Sequence, residues 1–188
     1  MVAVTSPPVT FGKVLGYLRG GHHFAVLSSS DVAGVPASAG VTYGTSESAL
    51  VIYVMTRRHL QKARNIAANP QVSVVVPLTR RLMWFLPPPT VQLRGHAELL
   101  DWTDEEGTRV FQRFWLGRRI LRAYREFHRR GEQRICFIRI TPDPAIHTYL
   151  VGSSVWQVRR GWNPARPPSS NQPSSTDPRI QAVPRTNE

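Results

Sequence analysis

Thr56-Arg57-Arg58-His59-Leu60-Gln61-Lys62-Ala63-Arg64-Asn65-Ile66-Ala67-Ala68-Asn69-Pro70-Gln71-Val72-Ser73-Val74-Val75-Val76 decides the reading of this chain. An apolar run from Ala49 to Met55 stops at Thr56, and a basic turn follows. A short helical segment then runs to Ala68, and Asn69-Pro70 closes it, because proline cannot continue a helix and holds the residue before it extended. The β-branched run after Gln71 reads as a strand. The order is strand, basic turn, helix, strand.

The chemistry of that turn suits an anion. Arg57, Arg58 and Lys62 set three cations where a strand hands over to a helix, and free N–H groups with the positive end of the helix dipole point outward there. The competing reading is a solvated turn in an arginine-rich chain, and the local residues alone leave both open.

Upstream, Thr10 to Arg19 carries Phe11, Val14, Leu15 and Leu18 at i, i+3, i+4 and i+7, the stripe of an amphipathic helix, ended by Gly20-Gly21. Phe24–Leu27, Ala39–Tyr43 and Leu50–Val54 read as short strands between Gly-, Ser- and Asp-rich turns. Downstream, Val72–Leu78 and Val91–Leu100 continue the sheet around an insert, Thr79–Thr90, whose three prolines enforce an extended loop. Its Leu82-Met83-Trp84-Phe85 cluster calls for a partner surface or for packing on the barrel. Thr103 to Arg130 turns helical, with Thr103 expected as N-cap and Gly117 as the point of division. Ile135–Ile140 gives another strand, Thr141-Pro142-Asp143-Pro144 a turn, and Ile146–Tyr149 a last edge strand. Many short strands with few helices predict a mostly β fold, a small barrel with flanking α-helices. We expect one domain over residues 1–160 and a disordered Pro- and Ser-rich tail over 161–188.

Composition narrows the function classes. A net charge of +12 favours anionic partners of every kind without choosing among them. The arginine face of residues 109–130 is read as solvated, and nucleic acid as a partner is disfavoured because no exposed aromatics interleave with it. No apolar run approaches the about 20 residues of a membrane helix, so a soluble, cytoplasmic protein without a membrane partner is expected. Cys136 is the single cysteine, which fits a reducing compartment. No metal site is expected: adjacent His22 and His23 point to opposite faces of an extended chain and do not chelate one ion. His59 and His147 lack a visible carboxylate partner. No Ser/His/Asp arrangement, carboxylate pair or phosphate-cradling glycine loop stands out, so a hydrolase or kinase is unsupported.

The order of parts resembles the pyridoxamine 5'-phosphate oxidase-like split β-barrels, which bind FMN or the deazaflavin coenzyme F-420. Gly34-Val35-Pro36 opens the first strand of the pattern, Thr56 ends the second, Lys62 falls on the family's lysine, Asn65-Ile66 on its Asn-Leu, and Asn69-Pro70-Gln71-Val72-Ser73 fits throughout. Arg94-Gly95-His96-Ala97-Glu98-Leu99 is similar to the family's Gly-x-Ala strand, leading into Asp101-Trp102-Thr103-Asp104. Leu60 and Gln61 depart from it, standing where Ser and Arg are usual, and Ala37-Ser38-Ala39 lacks the basic residue of the oxidases themselves, which argues against a true pyridoxamine phosphate oxidase.

The resemblance implies a homodimeric split β-barrel of the FMN-binding type, with the pocket built partly from the second subunit. It implies an oxidoreductase that uses FMN or coenzyme F-420 to pass a hydride or electron pair to or from a small organic substrate. Thr56, Arg57, Arg58 and Lys62 then belong to the phosphate end, Arg57 and Arg58 standing in for the missing charge, while Ser38, Val41 and Thr42 run along the ring. No catalytic acid or base is named. Two rivals remain: a non-catalytic barrel that carries a cofactor or haem, and a basic nucleic-acid-binding protein.

Overall fold

The computed structural model describes residues 11–20, 23–78 and 89–149, with the side chains of Phe11, Lys13 and residues 145–149 outside the description. Helix α1 (Phe11–Arg19) is followed by strands β1 (Phe24–Ser30), β2 (Pro36–Thr45) and β3 (Ile52–Arg57). Helix α2 (Gln61–Ala68), strands β4 (Gln71–Pro77) and β5 (Thr90–Asp101), helices α3 (Glu105–Gln112) and α4 (Trp115–Arg129) and strand β6 (Ile135–Tyr149) complete the order. The strands close an antiparallel barrel in the order β1-β2-β3-β6-β5-β4.

Strand periodicity explains the two apolar layers. Ala25, Leu27, Val41, Tyr43, Ile52, Val54, Val72, Val74, Val76, Val91, Leu93, Ile138 and Ile140 fill the barrel, joined by Val14 and Leu18 of α1 and Ile66 of α2. The opposite faces of β3 and β6 present Tyr53, Met55, Ile135 and Phe137 to Val110, Phe111 and Leu121 of α3 and α4. The mostly β barrel expected from the strand spacing, in the split form that the resemblance implies, is the fold observed.

Three local expectations are corrected. Asp104, not Thr103, caps α3: its carboxylate accepts from the Gly107 N–H at 2.7 Å, while the Thr103 hydroxyl donates to Asp101 at 2.7 Å. Losing that cap costs about 1 kcal/mol, so Asp104→Ala is expected to lower the unfolding free energy by that much, read as a lower urea midpoint at an unchanged denaturant slope.

The division of the long helical stretch falls at Arg113-Phe114, not at Gly117. Gly117 lies inside α4, where a Cβ would meet the Phe111 carbonyl and come 2.7 Å from the Phe114 ring. Its small size is what lets the two helices pack. The expected turn at Thr141–Pro144 is also absent, since β6 runs unbroken from Ile135 to Tyr149. The prolines are absorbed by a register shift between Leu93 and Gly95 of β5, where their missing N–H groups break no regular ladder. The insert over residues 79–88 and the tail over 161–188 lie outside the described residues, as does His22.

Candidate functional site

Strands β2 and β3 share only three rungs, Tyr43↔Val54, Gly44↔Tyr53 and Thr45↔Ile52. N-terminal to Tyr43, β2 keeps β1 as its ladder partner, and beyond Val54, β3 keeps β6. Where the two part, backbone donors and acceptors along one edge of each strand have no ladder partner among the described residues. The two groups of residues singled out by the sequence, Ser38–Thr42 and Thr56–Lys62, lie on opposite banks of this opening. Helix α2 packs against β1, β2 and β5 beside it.

Thr56 is the most informative side chain there. It is 1% exposed, and its Oγ1 is buried with no hydrogen-bond partner among the described residues. A buried hydroxyl left unpaired costs about 1–3 kcal/mol. Its rung partner is Cys136, a buried free thiol that desolvation pushes up to about 11. Sulfur in that state is a small apolar neighbour and not a nucleophile.

Helix α2 begins without a side-chain cap, because Leu60 occupies the cap position. Ala63 N–H and Arg64 N–H both return to the Leu60 carbonyl at 2.9 and 3.0 Å, while the N–H groups of Gln61 and Lys62 have no acceptor among the described residues. The departure from the family pattern at Leu60 thus has a structural consequence: the helix start keeps its donors open to an anion. Lys62, half-buried in this first turn, has no carboxylate partner among the described residues.

The two arginines behave differently. Arg57 leaves the corner: its guanidinium lies 4.7 Å from the Phe127 ring centroid and 5.7 Å from that of Tyr124, with Glu132 at 3.9 Å. It latches β3 to α4 by cation–π contact. Arg58 is exposed, its N–H bonded to the Arg134 carbonyl at 2.7 Å, and its charge acts on Asp101, helping the two Thr103 hydrogen bonds hold that carboxyl below its ordinary value.

On the other bank, Ser38 and Thr42 face away from the barrel interior, and Ser38 Oγ lies 2.8 Å from Ser28 Oγ. Val41 points into the barrel core, so it offers a ligand its backbone and not its side chain. The ladder registers set Ser38, Ser28, Ser73 and Arg94 in one row across the outer sheet face. Ser73 and Arg94 were quoted from the sequence only as parts of the strand pattern and Ser28 not at all, since only register brings them together.

Asn65 and Asn69, part of the quoted pattern, seat α2. Asn65 Nδ2 donates to Ser29 Oγ at 3.2 Å and its Oδ1 accepts from Gln61 at 2.8 Å, while Asn69 Nδ2 donates to Ser30 Oγ at 2.8 Å. An open cleft of about 280 Å³ runs along this helix between Asp31, Val32, Gln61, Arg64, Asn65 and Ala68. Among the described residues no group of three or more His, Cys, Asp or Glu is placed to hold a metal ion, and no helix is long and apolar enough to cross a membrane. His23 is stacked on Phe114 with ring centroids 3.8 Å apart, and its Nδ1 lies 3.1 Å from the Tyr43 carbonyl oxygen. His59 is exposed in the basic turn.

A family profile described as pyridoxamine 5'-phosphate oxidase matches residues 15–148. No curated protein matches the chain by sequence. Among solved structures, the fold is similar to a conserved hypothetical protein of Mycobacterium tuberculosis (TM-score 0.58, 14% identity, 79% of this chain and 89% of that one). It is also similar to HutZ, the haem storage protein of Vibrio cholerae (0.56, 16%, 71% and 91%). A haem-binding protein of Mycobacterium smegmatis is a third (0.54, 14%, 71% and 55%), of whose length this chain spans little more than half. The profile covers well over half of the chain and agrees with the barrel, its split and the seated α2: the protein belongs to the pyridoxamine 5'-phosphate oxidase family.

Proposed function

We propose that this protein binds FMN or coenzyme F-420 at the split between β2 and β3 and acts as an oxidoreductase on a small organic substrate. The observation that carries the reading is the buried, unpartnered Thr56 Oγ1 beside an uncapped helix start and the unpaired Lys62. Those groups fit a phosphate monoester. Thr56 donates one hydrogen bond, the Gln61 and Lys62 N–H groups supply two more, and Lys62 adds a full charge on a helix end already favourable to anions. Arg58 provides longer-range attraction.

The free edge of β2 from Ala39 to Thr42 offers backbone donors and acceptors to a ring, with Ser38 and Thr42 beside it. A bound flavin or deazaflavin would supply the hydride chemistry, and the chain's task is to hold and orient it and to exclude water. A second copy of the chain covering the outer sheet face, as a homodimer, would supply the excluding wall.

A second reading, a non-catalytic carrier of haem or another cofactor, draws on the folds shared with the haem storage and haem-binding proteins. Separate titrations of FMN, coenzyme F-420 and haemin distinguish the two. Saturable fluorescence quenching of one flavin, followed by substrate-dependent bleaching of its visible band, is expected. Saturable binding of haemin with neither flavin bound is the result that favours the carrier.

A further inference from the structure

Helix α4 carries more positive charge than the cofactor corner and the barrel packing use. Its core side holds Gly117, Leu121 and Tyr124. An exposed flank of it holds Arg118, Arg122, Arg125 and Arg129 at i, i+4, i+7 and i+11, one stripe about 16 Å long at 1.5 Å per residue. Arg119 flanks the stripe. Arg129 and Arg130 share Glu126, and Arg118 donates to the Gln112 carbonyl at 3.1 Å. Arg119, Arg122 and Arg125 have no carboxylate partner among the described residues.

Like charges three and four residues apart on a helix repel, so an isolated protein gains nothing from this arrangement. At the head of the same face stands Trp115, three residues before Arg118, four before Arg119 and seven before Arg122. It is 63% exposed, the most exposed aromatic side chain among the described residues. Sequence alone disfavours nucleic acid for want of an exposed aromatic on this face; the structure supplies one.

From the stripe of unpaired guanidinium groups and the exposed indole at its head, we propose that α4 is a docking surface for single-stranded nucleic acid. Arginine forks match phosphate oxygens two at a time, and an open indole face stacks on any base. An anionic membrane fits less well. Apart from Trp115 and the partly exposed Phe127, the apolar side chains of α4 are committed to the protein core, so little remains to insert between lipids.

The test uses the full chain and a labelled oligothymidylate, read by fluorescence anisotropy over a range of salt, with phosphatidylserine vesicles as a parallel arm. Binding at physiological ionic strength is expected. Arg119→Gln with Arg122→Gln should weaken it about tenfold, and the salt slope should fall by about 1.4, at about 0.7 for each phosphate no longer neutralised. Trp115→Ala should weaken it, and Trp115→Phe should restore much of the loss. A charge-matched pair elsewhere, Arg64→Gln with Arg94→Gln, should have a markedly smaller effect. Failure to bind at physiological salt, equal weakening by the two arginine pairs, or binding to vesicles with none to the oligonucleotide would overturn the proposal.

Discussion

Thr56→Val is expected to make the ligand-free protein more stable by about 1 kcal/mol and to weaken binding of the phosphorylated cofactor by about tenfold. The two effects have one origin. In the free protein the Thr56 hydroxyl is buried with no partner, so a methyl group of nearly the same volume removes an uncompensated desolvation. Valine keeps the β-branched shape that suits the strand, so β3 is not disturbed. On the proposed reading the same hydroxyl would donate to a charged oxygen of the bound cofactor, an interaction stronger than one between neutral groups. Urea unfolding of the free variant, set beside a cofactor titration, reads both. A destabilised free protein would mean that the hydroxyl has a partner, and an unchanged affinity would mean that the phosphate lies elsewhere.

The second large effect concerns Glu106, which ties α3 to the barrel. Ser46 Oγ donates to its Oε1 at 2.5 Å and Tyr53 OH to its Oε2 at 2.7 Å, and both hydroxyl residues are buried. Glu106→Ala removes both acceptors at once, leaving the buried Tyr53 hydroxyl without one and the Ser46 hydroxyl with only Ser48 Oγ at 3.3 Å, a loss of about 2–3 kcal/mol. Glu106→Gln, which keeps an acceptor oxygen, should cost less.

The hydrogen bonds from Ser46 and then Tyr53 hold the Glu106 carboxyl below its ordinary value of 4.5. A carboxyl depressed in the folded state contributes stability that is present above its unfolded value and is lost as pH falls through the folded one. The wild type should therefore weaken toward acid below about pH 4.5, and Glu106→Ala should show a shallower acid limb in unfolding experiments repeated down the pH scale. Equal acid limbs in the two proteins would place the titrating group elsewhere.

What could be read from the residues followed local periodicity. The alternation in Val72–Val76, the strand-to-helix handover after Thr56 and the closing Asn69-Pro70 each carry their own signal, and those elements lie where they were expected. Long-range register was not legible. That β2 abandons β3 beyond Tyr43, opening the split, depends on pairings between distant strands, and so does the row of Ser28, Ser38, Ser73 and Arg94. The prolines of β6 misled for the same reason: a bulge against Gly95 hides their missing donors, and no local pattern announces it.

The candidate site residues divide along the same line. Thr56 and Lys62 could be named from a motif, but the capture of Arg57 by Phe127 and Tyr124 required knowing that α4 returns over β3. Val41 was assigned to the ring edge by position on β2, whereas strand parity sends its side chain inward and leaves only its backbone on the opening.

The most direct test of the central claim compares each flavin with its phosphate-free ring analogue, in the wild type and in Lys62→Met, by fluorescence quenching. The account predicts that the wild type prefers the phosphorylated form by about tenfold or more and that Lys62→Met erases most of that preference while binding the bare ring nearly as before. Equal affinities for phosphorylated and phosphate-free rings in the wild type would contradict it.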